Sequence, residues 1–211
     1  MIRVRTARGR RAGSTRWIER QLADPYVKRA RAEGYRSRAA YKLLELDTRF
    51  GFLKGAARIV DLGVAPGGWA QVAHRACPKA RIIGVDLLPT DPLPGVEMIE
   101  MDFMDEAAPA RIAELLGGPA DLILSDMAAN TMGHKGTDHL RTMGLVEAAA
   151  AFANEMLAPG GAFVAKVLAG GADSALVAEL KRGFSNVKHA KPPASRKESS
   201  EWYVVAMGKK G

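Results

Sequence analysis

The chain is poor in residues that could crosslink it or hold a metal. Among its 211 residues there is one cysteine, Cys77, and there are four histidines, at positions 74, 134, 139 and 189. A single cysteine excludes a disulfide within the chain and suits a reducing cytosol, where we expect the protein to act. The histidines lack the neighbouring cysteines or paired carboxylates that metal sites need, so no bound metal is expected.

Aromatic residues make up only 6% of the chain, and no apolar run approaches the length of about 20 residues that spans a membrane. The apolar fraction of 47% is ordinary for a globular protein. A chain of 211 residues is long enough for one α/β domain with a buried core. We therefore expect a single domain, acting as a monomer and without membrane contact.

Acidic residues are scarce at both ends of the chain. Residues 1–42 hold 13 Lys and Arg against 3 Asp and Glu, and residues 181–211 hold 8 against 2, whereas residues 43–180 hold 10 against 18. The net charge of +8 is therefore concentrated in two basic segments around an acidic centre. Clustered Lys and Arg are typical of proteins that bind polyanions, because each neutralised phosphate releases condensed counterions.

The first residues have two other interpretations. We interpret residues 1–14 as a basic, flexible tail ahead of one domain at residues 15–211, and such a tail is often merely solvated. The stretch from Arg3 to Arg16 is also rich in arginine and free of acids, as transit peptides are, although it lacks the apolar segment of a secretory signal. The composition leaves these interpretations open beside nucleic-acid binding.

The order of predicted elements indicates a doubly wound, Rossmann-like α/β sheet. A basic front section, residues 15–52, contains three short helical patterns, the third with Ser37 as its N-cap. In the core that follows, residues 53–211, apolar runs alternate with helical stretches, which is typical of parallel strands with helices on both faces. We predict strands at residues 58–62, 81–85, 96–101, 121–125, 162–167, 186–190 and 202–207. The first five are expected to be buried on both faces, and ligands should bind at the carboxyl ends of the strands.

Residues 58–69, RIVDLGVAPGGW, predict a strand, a tight turn and the start of a helix. Gly63 permits the sharp turn and a close approach of the backbone to a ligand. Gly67 and Gly68 lead into a helix whose free N–H groups favour an electron-rich partner. The loop lacks the G-x-G-x-x-G spacing of dehydrogenases and has Pro66 in the turn, which argues against a nicotinamide cofactor.

Three aspartates follow this loop at the ends of successive strands: Asp86, Asp102 and Asp126. A carboxylate at Asp86 can accept hydrogen bonds from ribose hydroxyls, and one at Asp102 can accept from an adenine amino group. Asp126 is expected close to a transferable methyl group. One aspartate at a strand end is commonly a turn former, but three in order predict a nucleoside site. S-adenosylmethionine fits, because it offers a ribose, an adenine and a sulfonium but no phosphate.

The glycine loop and the three aspartates are part of a longer series of motifs that match a known protein family. The chain closely resembles the FtsJ/RlmE family of heat-shock ribosomal RNA 2′-O-methyltransferases, from about Trp17 to Lys209. The matching stretches are residues 36–43, 60–69, 86–92, 125–128, 157–161, 164–167 and 200–204. The resemblance implies a class I fold dependent on S-adenosylmethionine, with seven mostly parallel strands and with cofactor contacts at Gly67, Trp69 and the three aspartates.

The family carries a Lys-Asp-Lys-Glu tetrad, which by resemblance falls on Lys42, Asp126, Lys166 and Glu201. The family's usual substrate is a uridine in the A loop of large-subunit ribosomal RNA, methylated in the assembling 50S particle. The chain departs from the family pattern at Ala129, where a proline is common. That change removes no hydrogen-bond donor or acceptor, so we expect activity to persist.

A ribose 2′-hydroxyl is a poor nucleophile, so its methylation needs in-line attack and a group that takes the proton. We assign Lys166, which is costly to bury unless paired, to orient the hydroxyl and help remove its proton. Lys42 and Glu201 would help to position it, and Asp126 would bridge it to the cofactor. Three of these residues have plainer interpretations. Lys166 is then a strand-end lysine that points outward, Lys42 belongs to a solvated helix face, and Glu201 is a charge that protects a sheet edge. Burial favours a neutral Lys166 and the carboxylates favour a charged one, which leaves the identity of the base open.

RNA capture is assigned to the basic front section and to the tail of the chain. The residues are Arg36, Arg38, Lys28, Arg29, Arg31, Lys191, Arg196 and Lys197. Because aromatic residues are few, we interpret Trp17, Tyr26 and Tyr35 as packing residues instead of stacking platforms. Binding should be led by phosphate contacts and should weaken with salt, with specificity coming from RNA shape.

Other functions remain open at this point. Transfer RNA and the messenger cap are alternative substrates for a 2′-O-methyltransferase. A ribosome-assembly factor without catalytic activity is an alternative of another class. A pure binding protein has no need of a lysine opposite a glutamate, so the tetrad argues against that last alternative. The pattern favours a 2′-O-methyltransferase of ribosomal RNA.

Overall fold

The computed structural model describes residues 22–129, 135–168 and 174–211. The tail predicted at residues 1–14 and the first part of the predicted front section, residues 15–21, lie outside this range. The front section forms two helices, α1 (Pro25–Ala32) and α2 (Ala40–Phe50). Asp24 caps α1 by accepting a hydrogen bond from the Tyr26 backbone N–H at 3.0 Å. The α2 helix ends at Gly51, whose φ of 70° is the left-handed conformation that glycine favours.

The rest of the chain alternates between strands and helices, as the apolar runs predict. The elements are β1 (Arg58–Leu62), α3 (Gly68–Ala76), β2 (Arg81–Asp86), β3 (Glu97–Glu100), α4 (Ala108–Leu116), β4 (Ala120–Ser125), α5 (Lys135–Met156), β5 (Leu157–Leu168), α6 (Ser174–Gly183), β6 (Phe184–Ala190) and β7 (Glu201–Lys209).

All seven strands join one sheet in the order β3-β2-β1-β4-β5-β7-β6. The first five strands pair in parallel, whereas β7 runs antiparallel to both of its neighbours. The strand order reverses direction between β1 and β4, which is the point where sheets of this kind bind ligands. The predicted doubly wound, mostly parallel sheet is therefore confirmed.

Side chains on successive strand positions enter two hydrophobic cores, one on each face of the sheet. In β1, Val60 packs into the core formed with α4, α5 and α6, and its neighbour Ile59 packs into the core formed with α2 and α3. This alternation follows from the two-residue repeat of a strand. Helices therefore cover both faces of the sheet, as expected, and leave its carboxyl edge for the site.

Three local predictions were wrong. Ser37 does not cap α2, because the helix begins at Ala40 and the Ser37 hydroxyl is buried without a hydrogen-bond partner. The β3 strand is partly exposed instead of buried, because it lies at the edge of the sheet. The β5 strand starts at Leu157, earlier than predicted. A register shift between Ala120 and Leu122 of β4 lets Leu157 pair with Ala120, ahead of Gly160 and Gly161.

No helix within the described ranges is both long and apolar enough to cross a lipid bilayer.

Phe163 of β5 is fully buried in the core formed with α4, α5 and α6. Replacing it with alanine removes its packing contacts and leaves a cavity, so the free energy of unfolding should fall by about 3–5 kcal/mol. Leu140→Ala is the matched control, because Leu140 is 72% exposed on α5. That control should change the same free energy by less than about 0.5 kcal/mol in urea denaturation. Equal effects of the two substitutions would contradict the described core.

Candidate active site

The carboxyl ends of β1, β2 and β4 open onto a cleft of about 650 Å³. Gly63, Asp86, Asp102 and Asp126 all line it. Its other walls are mainly apolar, with Val85, Leu87, Leu88, Met101, Phe103, Met104, Met127 and Leu145 among them. An apolar cleft with a few converging polar groups is typical of a small-molecule site. The structure therefore brings the three predicted aspartates to one place.

Two of these aspartates are oriented by backbone N–H groups. The two carboxylate oxygens of Asp86 accept hydrogen bonds from Ala65 and Leu88, each at 2.9 Å. Asp102 accepts from the Met104 N–H at 2.9 Å, and its side chain is exposed at the rim. A carboxylate has about four acceptor positions, so both residues keep capacity for the hydroxyl or amino groups of a ligand.

The glycine loop, residues 63–68 between β1 and α3, contacts both the cleft and the front section. Gly63 has a φ of 73° and lies on the cleft, where an added Cβ would overlap the Met127 side chain. Gly67 and Gly68 instead pack against Arg36 and Ser37 of the front section. These two glycines are not among the residues that line the cleft, and their contact with a cofactor stays a prediction.

Trp69 is likewise not among the residues that line the cleft. It is buried, and its indole N–H donates a hydrogen bond to the Ala39 carbonyl at 2.9 Å. Its ring packs against Tyr203, with the ring centroids 5.6 Å apart. The tryptophan therefore ties the glycine loop to the start of α2 and to β7, and its direct contact with a cofactor stays a prediction.

The four tetrad residues meet beside the cleft. Lys166 Nζ lies 3.1 Å from Asp126 Oδ1 and donates to the Asp126 backbone carbonyl at 2.5 Å. Lys42 Nζ lies 2.8 Å from Glu201 Oε2 and 3.6 Å from Asp126 Oδ2. All four side chains are between 10% and 17% exposed. The structure therefore joins them in a row of alternating charge, Lys166, Asp126, Lys42 and Glu201.

Tyr203 is a fifth member of this cluster, and the sequence did not identify it. Its hydroxyl donates a hydrogen bond to Asp126 Oδ1 at 2.7 Å, and its side chain is fully buried. Lys42 Nζ lies 5.8 Å from the centre of its ring. A sequence signal existed, because Tyr203 follows Glu201 by two positions and so lies on the same face of β7.

The cluster keeps Asp126 ionised. Burial raises the pKa of Asp126, but the positive charges of Lys166 and Lys42 and the Tyr203 hydroxyl outweigh it, so the pKa lies below its ordinary value. Burial raises the pKa of Tyr203 well above its ordinary value, and the charges of Asp126 and Glu201 raise it further. Tyr203 therefore stays a protonated donor, and Asp126 stays a carboxylate at neutral pH.

Asp61 of β1 is a second residue to which the sequence assigned no role. It is 1% exposed, and its Oδ2 atom has no hydrogen-bond partner. Burial raises the pKa of Asp61 well above its ordinary value, and the charges of Asp126 and Asp86 add to that rise. Burial within β1 therefore favours the protonated form of this carboxyl group.

Several residues predicted to bind RNA are engaged within the protein. The Arg36 guanidinium donates to the backbone carbonyls of Pro66, Asp91 and Pro92, at 3.2, 2.7 and 2.6 Å. It thereby connects the front section to the glycine loop and to the loop that follows β2. Its side chain has a structural task, and an RNA contact stays a prediction.

The other basic residues fall into two groups. Arg38 and Arg196 share the Asp24 carboxylate, at 2.6 and 3.3 Å. Arg29 pairs with Glu33 at 2.6 Å, and Lys191 donates to the Ser199 carbonyl at 2.6 Å. The side chains that are exposed on the surface are Lys28, Arg29, Arg31 and Lys197, and of these Arg29 is the one already paired with Glu33. Tyr26 and Tyr35 both pack against Tyr41, as expected of packing residues, and Trp17 lies outside the described residues.

In the parts of the chain that the structure describes, no group of three or more His, Cys, Asp and Glu side chains is arranged to hold a metal ion.

A seven-stranded sheet of this order, with an acid-lined cleft at its switch point, defines a class I methyltransferase fold. The chain belongs to the FtsJ-like methyltransferase family, whose model matches residues 35–209.

Individual proteins are similar over nearly the whole chain. Ribosomal RNA large subunit methyltransferase E of Rhizorhabdus wittichii is 69% identical over 209 residues, which cover 99% of this chain and 91% of that protein. The protein of the same name from Gluconobacter oxydans is 56% identical over 207 residues, 98% of this chain and 77% of its own. The crystal structure of a ribosomal RNA methyltransferase from Plasmodium falciparum superposes with a TM-score of 0.75 at 33% identity, over 84% of this chain and 100% of that one.

Tyr203→Phe removes the hydrogen bond to Asp126 and keeps the buried ring. Losing a bond to a charged group should lower the free energy of unfolding at neutral pH by about 1–3 kcal/mol. A carboxyl group with a lowered pKa stabilises the fold above its unfolded pKa of about 3.9, and this stabilisation is lost as the pH falls through the folded value. Because the pKa of Asp126 should rise towards its unfolded value in the variant, the variant should lose less stability than the wild type as the pH falls from neutral to about 3.

Urea denaturation from neutral pH down to about pH 3 measures both effects. Tyr35→Phe is the matched control, because it also removes a hydroxyl and keeps the ring that packs on Tyr41. Its stability should follow that of the wild type across the range. The assignment fails if the Tyr203→Phe and Tyr35→Phe curves superpose.

Proposed function

We propose that this protein transfers a methyl group from S-adenosylmethionine to the ribose 2′-hydroxyl of a uridine in the A loop of large-subunit ribosomal RNA. The single observation that carries the proposal is the double role of Asp126. Its side chain lines the cleft suited to a nucleoside and also contacts both lysines of the cluster. A cofactor site and a proton-handling site therefore share one residue.

The cleft fits S-adenosylmethionine better than a phosphorylated cofactor. Three carboxylates and one arginine, Arg141, line it, so its net negative charge disfavours phosphate groups, whereas Asp126 favours a positively charged sulfonium nearby. Asp86 and Asp102 offer acceptors for ribose hydroxyls and for an adenine amino group, and the apolar side chains offer packing for the adenine ring. When bound, S-adenosylmethionine supplies an electrophilic methyl group.

The lysines of the cluster would orient the acceptor 2′-hydroxyl and remove its proton. Lys166 Nζ is held by the side chain and the backbone carbonyl of Asp126. The ammonium form of Lys166 has three N–H donors, so one remains to orient the 2′-hydroxyl, and only the neutral amine form, which has a lone pair, can take up the hydroxyl proton. We assign Lys166 to this role and to the removal of the hydroxyl proton, with Lys42 and Glu201 fixing Asp126 from the other side.

A second cavity gives the RNA a path to the same cluster. It measures about 330 Å³ and is lined by Arg38, Lys42, Arg196, Ser199 and Glu201 among others. The tetrad thus lies between this cavity, which Lys42 and Glu201 line, and the cleft that Asp126 lines. We propose that the acceptor nucleotide enters here, with surface contacts from Lys28, Arg31 and Lys197 to its flanking phosphates.

The names of the relatives support the substrate class. Proteins named ribosomal RNA large subunit methyltransferase E are 56–69% identical to this chain over nearly its full length. We propose that this chain likewise acts on the large ribosomal subunit in the cytoplasm, as a monomer.

Transfer of labelled methyl groups to unmethylated 50S particles, free large-subunit ribosomal RNA and transfer RNA, assayed in parallel, tests this function. The 50S particle should be labelled most, and digestion to nucleosides should recover the label as a 2′-O-methyluridine. Label in transfer RNA alone would mean that transfer RNA, and not ribosomal RNA, is the substrate. Absence of label from every RNA, with cofactor binding intact, would favour an assembly factor without catalysis.

Lys166→Ala should abolish the transfer step and leave cofactor binding nearly intact. The substitution removes the group that handles the hydroxyl proton, and loss of a general acid–base group typically costs about 10²–10⁴-fold in rate. Lys79→Ala is the matched control, because Lys79 is exposed near the amino-terminal end of β2, away from the site. Turnover by labelled methyl transfer and cofactor affinity by calorimetry separate the two effects. Retained turnover in Lys166→Ala would remove this residue from the mechanism.

A further inference from the structure

Ser195 lies between β6 and β7 and has no part in the proposed mechanism so far. Its side chain is buried, at 5% exposure, and its hydroxyl donates a hydrogen bond to Glu201 Oε1 at 2.8 Å. The other carboxylate oxygen, Glu201 Oε2, binds Lys42 Nζ at 2.8 Å. The Glu201 carboxylate is therefore held at both oxygens, by groups from two different parts of the fold.

The segment that carries Ser195 is fixed to the same helix that carries Lys42. The Ala194 N–H donates to Glu45 Oε2 at 2.6 Å, and the Ala194 carbonyl accepts from the Arg38 guanidinium. Arg38, Lys42 and Glu45 follow one another by four and three residues, so they lie along one side of α2 and the turn before it. These contacts set the position of Ser195 relative to Lys42.

The contact most sensitive to this arrangement is the one between Lys42 and Asp126. Its 3.6 Å is longer than a hydrogen bond, whereas the Lys42–Glu201 contact is a direct bond at 2.8 Å. Lys42 therefore depends on Glu201 for its position. If the Glu201 carboxylate rotates, the Lys42 charge moves with it and away from Asp126.

We propose that Ser195 is a positioning residue, which fixes the Glu201 carboxylate so that Lys42 is held beside Asp126. Its effect on the reaction rate rests on the proposed function, but its effect on Lys42 does not. Ser195 lines neither the cleft nor the second cavity, so its loss should lower kcat and leave the KM for S-adenosylmethionine unchanged.

Ser195→Ala should lower kcat about tenfold, as expected for one lost hydrogen bond to a charged group. Ser185→Ala is the matched control, because it also removes a serine hydroxyl, one that donates to the Gly208 carbonyl at 3.1 Å near the far end of β7. The control should keep wild-type kcat and KM.

A double-mutant cycle separates positioning from general destabilisation. In the Glu201→Ala background the carboxylate that Ser195 orients is gone, so adding Ser195→Ala should lower kcat by less than about twofold. The full tenfold loss in that background would overturn the proposal. Ser195→Cys, which keeps the volume and a weak donor, takes the place of Ser195→Ala if the alanine variant does not fold.

Lys42 itself provides a measurement that needs no RNA. The rate at which acetic anhydride labels the Lys42 amine, followed by mass spectrometry, should rise several-fold in Ser195→Ala and stay unchanged in Ser185→Ala. Unchanged Lys42 labelling in a folded Ser195 variant overturns the proposal. A wild-type protein that methylates no RNA would instead refute the proposed function, and the labelling result would still decide the role of Ser195.

Discussion

The carboxylate of Asp126 is the group on which the rest of the site depends. It is largely removed from water, and two lysines and a tyrosine hydroxyl outweigh the cost of keeping it charged. Those three partners come from α2, β5 and β7, so one buried charge requires three separate elements to converge. Removing one partner of a buried ion pair leaves a poorly compensated charge, which typically costs several kcal/mol. Stability and chemistry therefore place the same demand on this position.

The front section is built into the core and is not an appendage. Arg36 binds three carbonyls of the loops beside the cleft, and Ala39 accepts the hydrogen bond from the Trp69 indole. Arg38 pairs with Asp24 and so joins the start of α1 to the turn before α2. The basic charge that suggested RNA binding is thus partly used to assemble the site, because guanidinium groups can satisfy several carbonyls at once.

The sequence predicted what depends on local pattern and missed what depends on distant partners. The apolar runs located all seven strands, and the positions of Asp86, Asp102 and Asp126 at strand ends placed them on one cleft. Tyr203 was not identified, although it shares a face of β7 with Glu201, because its hydrogen-bond partner Asp126 is 77 residues away along the chain. The N-cap predicted at Ser37 was wrong and the internal contacts of Arg36 were missed for the same reason. Side-chain type alone does not reveal which partner is near.

The antiparallel direction of β7 has a consequence for the order in which the site is completed. Because β7 pairs with β5 in reverse, its first residues lie at the carboxyl end of β5, with Lys166 opposite Tyr203 and Leu168 opposite Glu201. The chain leaves the ribosome from its amino terminus, so α2 and the first five strands emerge before β7 does. A growing chain therefore contains Lys42, Asp126 and Lys166 without the two groups that arrange them. The cluster around Asp126 is therefore complete only after β7 has been synthesised.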